Sequence, residues 1–371
     1  MSDDRRSFLK KTGLVASALA LTGVNAQKKD EEMRVQPTVK KVRALGFQWQ
    51  TLDPFLFCVH HEDKYPEGNG SLGPKASLAG RNIGQDFILK DGWRMYHGQD
   101  VPGFPGHPHR GFETITVVRD GYVDHFDSMN GKARYGHGDV QWMTAGKGIL
   151  HSEMFPLVHE DKGNRMELFQ IWLNLPKKNK MVDPYFRMNW SEDIQIIEKE
   201  DENGNAYKLE LLFGKWGSAE AETSTPDSWA ANPENEVGIY AIKMDSNVTF
   251  KIPPTRGDIN RTIYFFEGQE LLVGDTKVPH YHAADVQSDQ ELVIKNGTTA
   301  GQILILQGKP IGEPVVQHGP FVMNTKEEIQ EAFSDYQRTQ FGGWPLDHYD
   351  PTHGKKPKRF AQHADGTREE R

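Results

Sequence analysis

From Val42 to Trp190 the chain alternates short apolar, β-branched runs with Gly, Pro and Asp turns, and no long helical period interrupts them. The segment Met166–Leu175 alternates most cleanly. Glu167, Phe169, Ile171 and Leu173 fall on one face, and Gln170, Trp172 and Asn174 on the other. The spacing predicts the closing strand of a first β unit, ended by Pro176 and the basic run 177–180. Thr114–Val118 predicts another strand, with Asp120-Gly121 as a hairpin turn behind it. A charged connector, 191–205, then separates a second set of strands: 207–213, 238–244, 261–266 and 301–306. One helix is expected. Thr325 and Glu328 form a capping box, Ile329, Ala332, Phe333 and Tyr336 make an apolar stripe, and Gly342 and Gly343 stop it. The pattern is that of an all-β protein with two successive β units and a C-terminal helix. The last segment, from Pro345, is rich in Pro, His, Lys and Asp and reads as loosely ordered.

The N-terminus follows a different rule. Arg5-Arg6-Ser7-Phe8-Leu9-Lys10 has the form of a twin-arginine export signal. The mildly apolar run 12–24 is too short to span a bilayer, and Val24-Asn25-Ala26 has the small residues of a cleavage site. Residues 1–26 therefore read as a signal peptide, 27–41 as a flexible tether, and the mature protein as periplasmic. The twin-arginine translocase would then be a transient partner. Removing 1–26 takes away four basic and two acidic residues, so the net charge moves from −8 to −10. That balance argues against a nucleic-acid ligand, which needs a basic face. The single cysteine, Cys58, rules out an intrachain disulfide; within Phe55–Val59 it reads as a small buried hydrophobe.

Two short segments carry chemistry. His107 and His109 are two apart, and so are His151 and Glu153. In a strand such pairs point to one face, so three imidazoles and a carboxylate can converge inside a barrel. Imidazole suits Fe, Zn, Cu and Ni, and a carboxylate tilts the set toward Fe or Mn. With 15 histidines some pairs arise by chance, and His60-His61-Glu62 and His280-Tyr281-His282 are read so. The flanks distinguish the first two segments. A Pro/Gly-rich approach, 102–106, leads into His107, and Gly136, Gly138, Gly146 and Gly148 precede His151.

The segments HPHRGFETIT and GDVQWMTAGKGILHSE, with GPFVMNTKEEI far downstream, resemble the pirin family of the cupin superfamily. The resemblance runs from about residue 42 to about 342. It implies two tandem cupin barrels, spanning 42–190 and 206–318, with a tail from 319 to 371. One divalent ion would sit in the first barrel, iron(II) by preference, with Mn, Ni, Cu or Zn as alternatives. The family's ligands match His107, His109, His151 and Glu153. Glu113 stands where ordinary cupins place a glutamate, and the strand pattern puts it on the face of His109, as a neighbouring or substitute ligand. The second barrel has Arg261–Gly268 in place of the His-x-His strand and no ligand pair. Family members open flavonols such as quercetin with O2, which implies a small aromatic substrate, Glu153 as base, and Phe104, Phe112 and Met143 near the ring. Other members act as redox-responsive, non-enzymatic iron proteins through a protein partner. A purely structural metal is the third reading.

Overall fold

The computed structural model describes residues 38–221 and 223–371. The export signal and its cleavage site lie outside the described residues, as does most of the tether.

The fold is two tandem cupin barrels with one C-terminal helix. In the first barrel a six-stranded sheet runs in the order Tyr185–Asn189, Val140–Thr144, Phe112–Asp120, Asn164–Asn174, Phe55–Tyr65, Gln48–Gln50. It faces a second six-stranded sheet ordered Arg368–Glu370, Phe360–Gln362, Lys132–Gly136, Tyr122–Asp127, Ile149–Met154, Gly103–His109. Met95, Val118, Val123, Tyr135, Met143 and Leu168 fill the space between them. The second barrel has a seven-stranded sheet and a four-stranded one, closed over Leu209, Ile242, Phe250, Ile263 and Ile305.

The strand Asn164–Asn174 is central, bonded to Phe55–Tyr65 on one side and Phe112–Asp120 on the other. Its alternation decides the architecture. Phe169, Ile171 and Leu173 are fully buried against Ile239, Tyr264 and Leu304 of the second barrel. Each such side chain contributes roughly 1.5–3 kcal/mol of hydrophobic stabilisation. Gln170 and Trp172, one residue out of phase, turn to a cavity in the first barrel.

Four expectations need correction. Asp120-Gly121 is a turn (Gly121 φ +79°), but no hairpin ladder flanks it. The strand before it pairs with Val140–Thr144 and Asn164–Asn174, and the strand after it belongs to the opposite sheet, so the turn hands the chain across the barrel. The connector 191–205 holds an edge strand, Gln195–Glu200, paired with Ala206–Phe213. Val39–Ala44, read as tether and start of the first barrel, pairs with His282–Val286 of the second. The tail is ordered: Phe360–Gln362 bonds to Lys132–Gly136 and continues the ligand-bearing sheet, because alternate tail residues such as Ala361 reach the core.

The helix spans Lys326–Thr339 with the expected capping box, and buries Ile329 and Ala332. It ends at Gln340, in the left-handed region at φ +48°, ahead of the glycines expected to stop it.

Candidate metal centre

The strands Gly103–His109 and Ile149–Met154 are antiparallel neighbours, with His107 opposite His151 and Phe104 opposite Glu153. A bulge between Phe104 and His107 re-aims the first strand. His107, His109 and His151 each offer a nitrogen within 4.8 Å of the other two. That span is only slightly wider than twice the ~2.0–2.2 Å bond of an imidazole ligand.

The donor chemistry fits a divalent ion. His151 is fully buried, yet neither ring nitrogen has a hydrogen-bond partner. An orphaned buried polar group costs ~1–3 kcal/mol, which a bound cation would offset. His107 Nδ1 lies 2.9 Å from the Pro105 carbonyl. Donation there fixes the tautomer and leaves the Nε2 lone pair for a ligand bond. Burial lowers the pKa of His107 to about 4, and pushes His109 and His151 well below the ordinary histidine value. The three are neutral at pH 7, the form that binds metal.

Glu153 lies beside this cluster. Its Oε2 is 3.9 Å from His151 Nε2 and accepts from Gln170 Nε2 at 3.1 Å. The Thr116 hydroxyl is 3.2 Å from its Oε1. Burial raises its pKa, opposed by nearby His125 and by the Thr116 and Gln170 hydrogen bonds. Behind His151, at a ring separation of 5.5 Å, His125 is fully buried with Nε2 3.0 Å from Asp127.

Glu113 is elsewhere. Its carboxyl accepts from Thr144 (2.6 Å), Thr225 (2.7 Å) and Ser228 (2.5 Å). Gly111, at φ +86°, breaks the strand after His109 and resets its alternation, so Glu113 turns away from the histidines. A side chain at 111 would also meet the Val322 carbonyl, 2.0 Å from a built Cβ. Buried Lys180 fastens this turn, donating to the carbonyl of Gly111 and to Asn174 Oδ1, both at 2.7 Å.

His107 and His109 open on a cavity of about 280 Å³ walled by aromatic rings, among them Phe57, Phe104 and Trp172. Of the expected pocket residues, Phe104 lines it. Phe112 backs it, stacked on Trp172 at 3.9 Å and edge-on to His109. Met143 does not reach it; it is fully buried in the barrel core. Gln170 and Trp172 went unassigned in the sequence, although the strand alternation had already put them on one face. His125 and Lys180 carried no such signal. His280 and His282 lie outside the cluster.

Two tandem cupin barrels with an aromatic cavity beside three neutral histidines that could hold a metal define a cupin protein. The family models Pirin and Pirin C-terminal cupin domain match residues 37–173 and 239–342. A Pseudomonas aeruginosa protein that carries the provisional name quercetin 2,3-dioxygenase is 34% identical over 255 residues, 68% of this chain and 85% of that one. A pirin-like protein of Caulobacter vibrioides is 35% identical over 256 residues, covering 69% of this chain and 87% of its own. The crystal structure of a quercetin 2,3-dioxygenase from Acinetobacter baumannii superposes with a TM-score of 0.62 at 27% identity, covering 82% of this chain and 96% of that one. The chain belongs to the pirin family.

Proposed function

We propose that this pirin is a metal-dependent dioxygenase, acting on a flavonol such as quercetin or a related enolic aromatic. One observation carries the reading: three neutral imidazoles cluster together, two of them lining an aromatic-walled cavity, with a buried carboxylate beside them. On this reading His107, His109 and His151 hold the metal, with Glu153 as fourth ligand after a small side-chain movement. The chemistry a divalent ion supplies when bound there, iron(II) on this reading, is Lewis-acid capture of an enolate or catecholate oxygen beside dioxygen.

The chain's own residues do the rest. Glu153 takes the proton of the substrate hydroxyl, and its raised pKa brings it nearer to neutral pH, where a general base works best. Gln170 and Thr116 aim it. Phe57, Phe104 and Trp172 pack the substrate rings and exclude water. The same reading has the protein exported folded by the twin-arginine route and working in the periplasm, on the strength of Arg5 to Lys10.

The test is anaerobic loading with Fe(II), Mn(II), Ni(II), Cu(II) or Zn(II), then O2 consumption against a flavonol panel. Stoichiometric O2 uptake with ring opening by one loaded form is the expected result. Full metal occupancy without turnover of any flavonol would overturn the enzyme reading in favour of a redox-responsive binding protein.

A further inference from the structure

The pair His60-His61-Glu62, set aside in the sequence as a match of composition, does not act as a unit. His60 packs on Phe169, toward the second barrel, and Glu62 is exposed. His61 lines the cavity above the metal centre. It is the visible end of a buried polar chain. Arg94 clasps Asp63, with Nε 2.9 Å from Oδ1 and Nη2 3.3 Å from Oδ2. The Tyr96 hydroxyl donates to Asp63 Oδ2 at 2.5 Å, and lies 2.8 Å from His61 Nδ1.

Proton counting fixes the state of His61. A carboxylate paired with arginine only accepts, so Tyr96 must spend its single proton on Asp63. The His61–Tyr96 bond then needs its proton from the imidazole. His61 is therefore the Nδ1–H tautomer, and its Nε2 is an acceptor. Burial, with Arg94 and His60 nearby, lowers its pKa to about 3, so Nε2 stays unprotonated at neutral pH. Among the described residues Nε2 has no hydrogen-bond partner, and it is not among the sealed buried atoms. It opens to the cavity that His61 lines. The chain goes to some length to hold this arrangement: Tyr96 is fully buried and sits at φ +57°, a backbone region that side chains larger than glycine rarely adopt.

Phe104 lies near both His61 and His107. That ring is 5.9 Å, centroid to centroid, from His61 and 6.3 Å from His107. His61 is not part of the three-histidine cluster, and Gln48 and His97 also line this cavity. Phe47, Phe87 and Phe155, which share the wall with His61, carry no polar side-chain atom.

We propose that His61 is a specificity-determining residue: its Nε2 accepts a hydrogen bond from a second substrate hydroxyl, one not held at the metal, and so selects polyhydroxylated aromatics. Tyr96, Asp63 and Arg94 are the positioning residues behind it. The assignment rests on the dioxygenase reading for its turnover assay, and on binding alone for its second assay.

The probes are quercetin, which bears hydroxyls on both outer rings, and 3-hydroxyflavone, which keeps only the enolic one. His61→Phe keeps a ring and removes the acceptor. The kcat/KM ratio of quercetin over 3-hydroxyflavone is expected to fall ~5–50-fold, the cost of leaving a hydroxyl unpaired in a buried site. His61→Gln, which retains an acceptor oxygen, should restore part of that ratio. Tyr96→Phe, which frees the tautomer, should lower it in the same direction by less. Melting temperature and metal content are measured on each variant; if His61→Phe does not fold, the other two variants decide. Affinity for both flavonols is read separately by fluorescence quenching of the anaerobic, metal-loaded protein. Selective quercetin binding that depends on His61, without turnover, overturns the dioxygenase reading alone. Equal losses on both flavonols, no loss on either, or a wild type that binds neither, overturns the role of His61.

Discussion

Glu153 is the residue on which binding and chemistry can be told apart. It lies 3.9 Å from His151 but is held by Gln170 and Thr116, so it stands partly outside the imidazole cluster. In Glu153→Gln the three histidines should still hold a divalent ion, more weakly. Turnover should fall roughly 10²–10⁴-fold if Glu153 is the base. Metal content measured beside rate checks this, and full activity in a metal-replete variant would remove Glu153 from the mechanism. The histidines of this site were legible in the sequence because a strand puts i and i+2 on one face. Glu113 was misjudged because a single left-handed glycine, Gly111, cancels that rule between His109 and it. His61 was illegible for a different reason. Its protonation state is set by Tyr96, 35 residues away, and by a carboxylate whose partnership with Arg94 no local pattern encodes.

Among the elements, the strands with clean alternation appear where their pattern predicts, since burying every second side chain fixes both register and face. The segments misread were those whose partners are remote. Val39–Ala44 and the tail have ordinary, partly polar sequences and become strands only because a distant edge offers backbone groups to pair with. The tail also roofs the site. Gly106 donates its N–H to the Tyr349 carbonyl, and Tyr349 with His97, Phe104 and His107 lines an outer cleft of about 580 Å³. A Cβ at 106 would come within 2.6 Å of the Tyr349 ring. Gly106→Ala should therefore lift the tail from the mouth of the cavity, at a cost of ~1–3 kcal/mol for forced overpacking. Limited proteolysis is the check: cleavage should concentrate in the tail, and an unchanged digestion pattern would deny the contact.

At the scale of the whole molecule, Glu113 has a role after all, as a carboxyl of the first barrel bound by Thr225 and Ser228, which precede the second barrel's Gly238–Met244 strand. Burial raises its pKa from 4.5 to about 7, against the three hydroxyl donors. The folded protein then holds this proton more tightly than the unfolded chain does. The stabilisation is full below pH 4.5 and is lost as pH rises through about 7. Glu113→Gln has no proton to lose. Its stability relative to wild type should improve from about pH 5 to about pH 8, by at most ~3 kcal/mol, in melts of both proteins. A difference independent of pH would show that the group titrates normally. The proposed export belongs to this scale too. An open metal pool favours Cu and Zn over Fe at such a site, whereas folding before the proposed export would let iron bind first. Replacing Arg5 and Arg6 together by Lys should abolish periplasmic accumulation; unchanged accumulation would remove the export reading.

The two ends of the chain are clasped across the molecule. The strand Val39–Ala44 finds its partner only at His282–Val286, with Arg43 and Asp285 paired at a separation of 242 residues. The edge strand Lys132–Gly136 is covered only by Phe360–Gln362. During synthesis Val39–Ala44 must wait for His282–Val286 to follow, and the sheet bearing the histidines keeps a bare edge until residues 360–362 leave the ribosome. Bare edges recruit other chains, and contacts this distant in sequence form slowly. The vulnerable interval for this pirin is thus the time between the making of these strands and that of their partners, and a chaperone that shields strand edges over that interval should raise its yield.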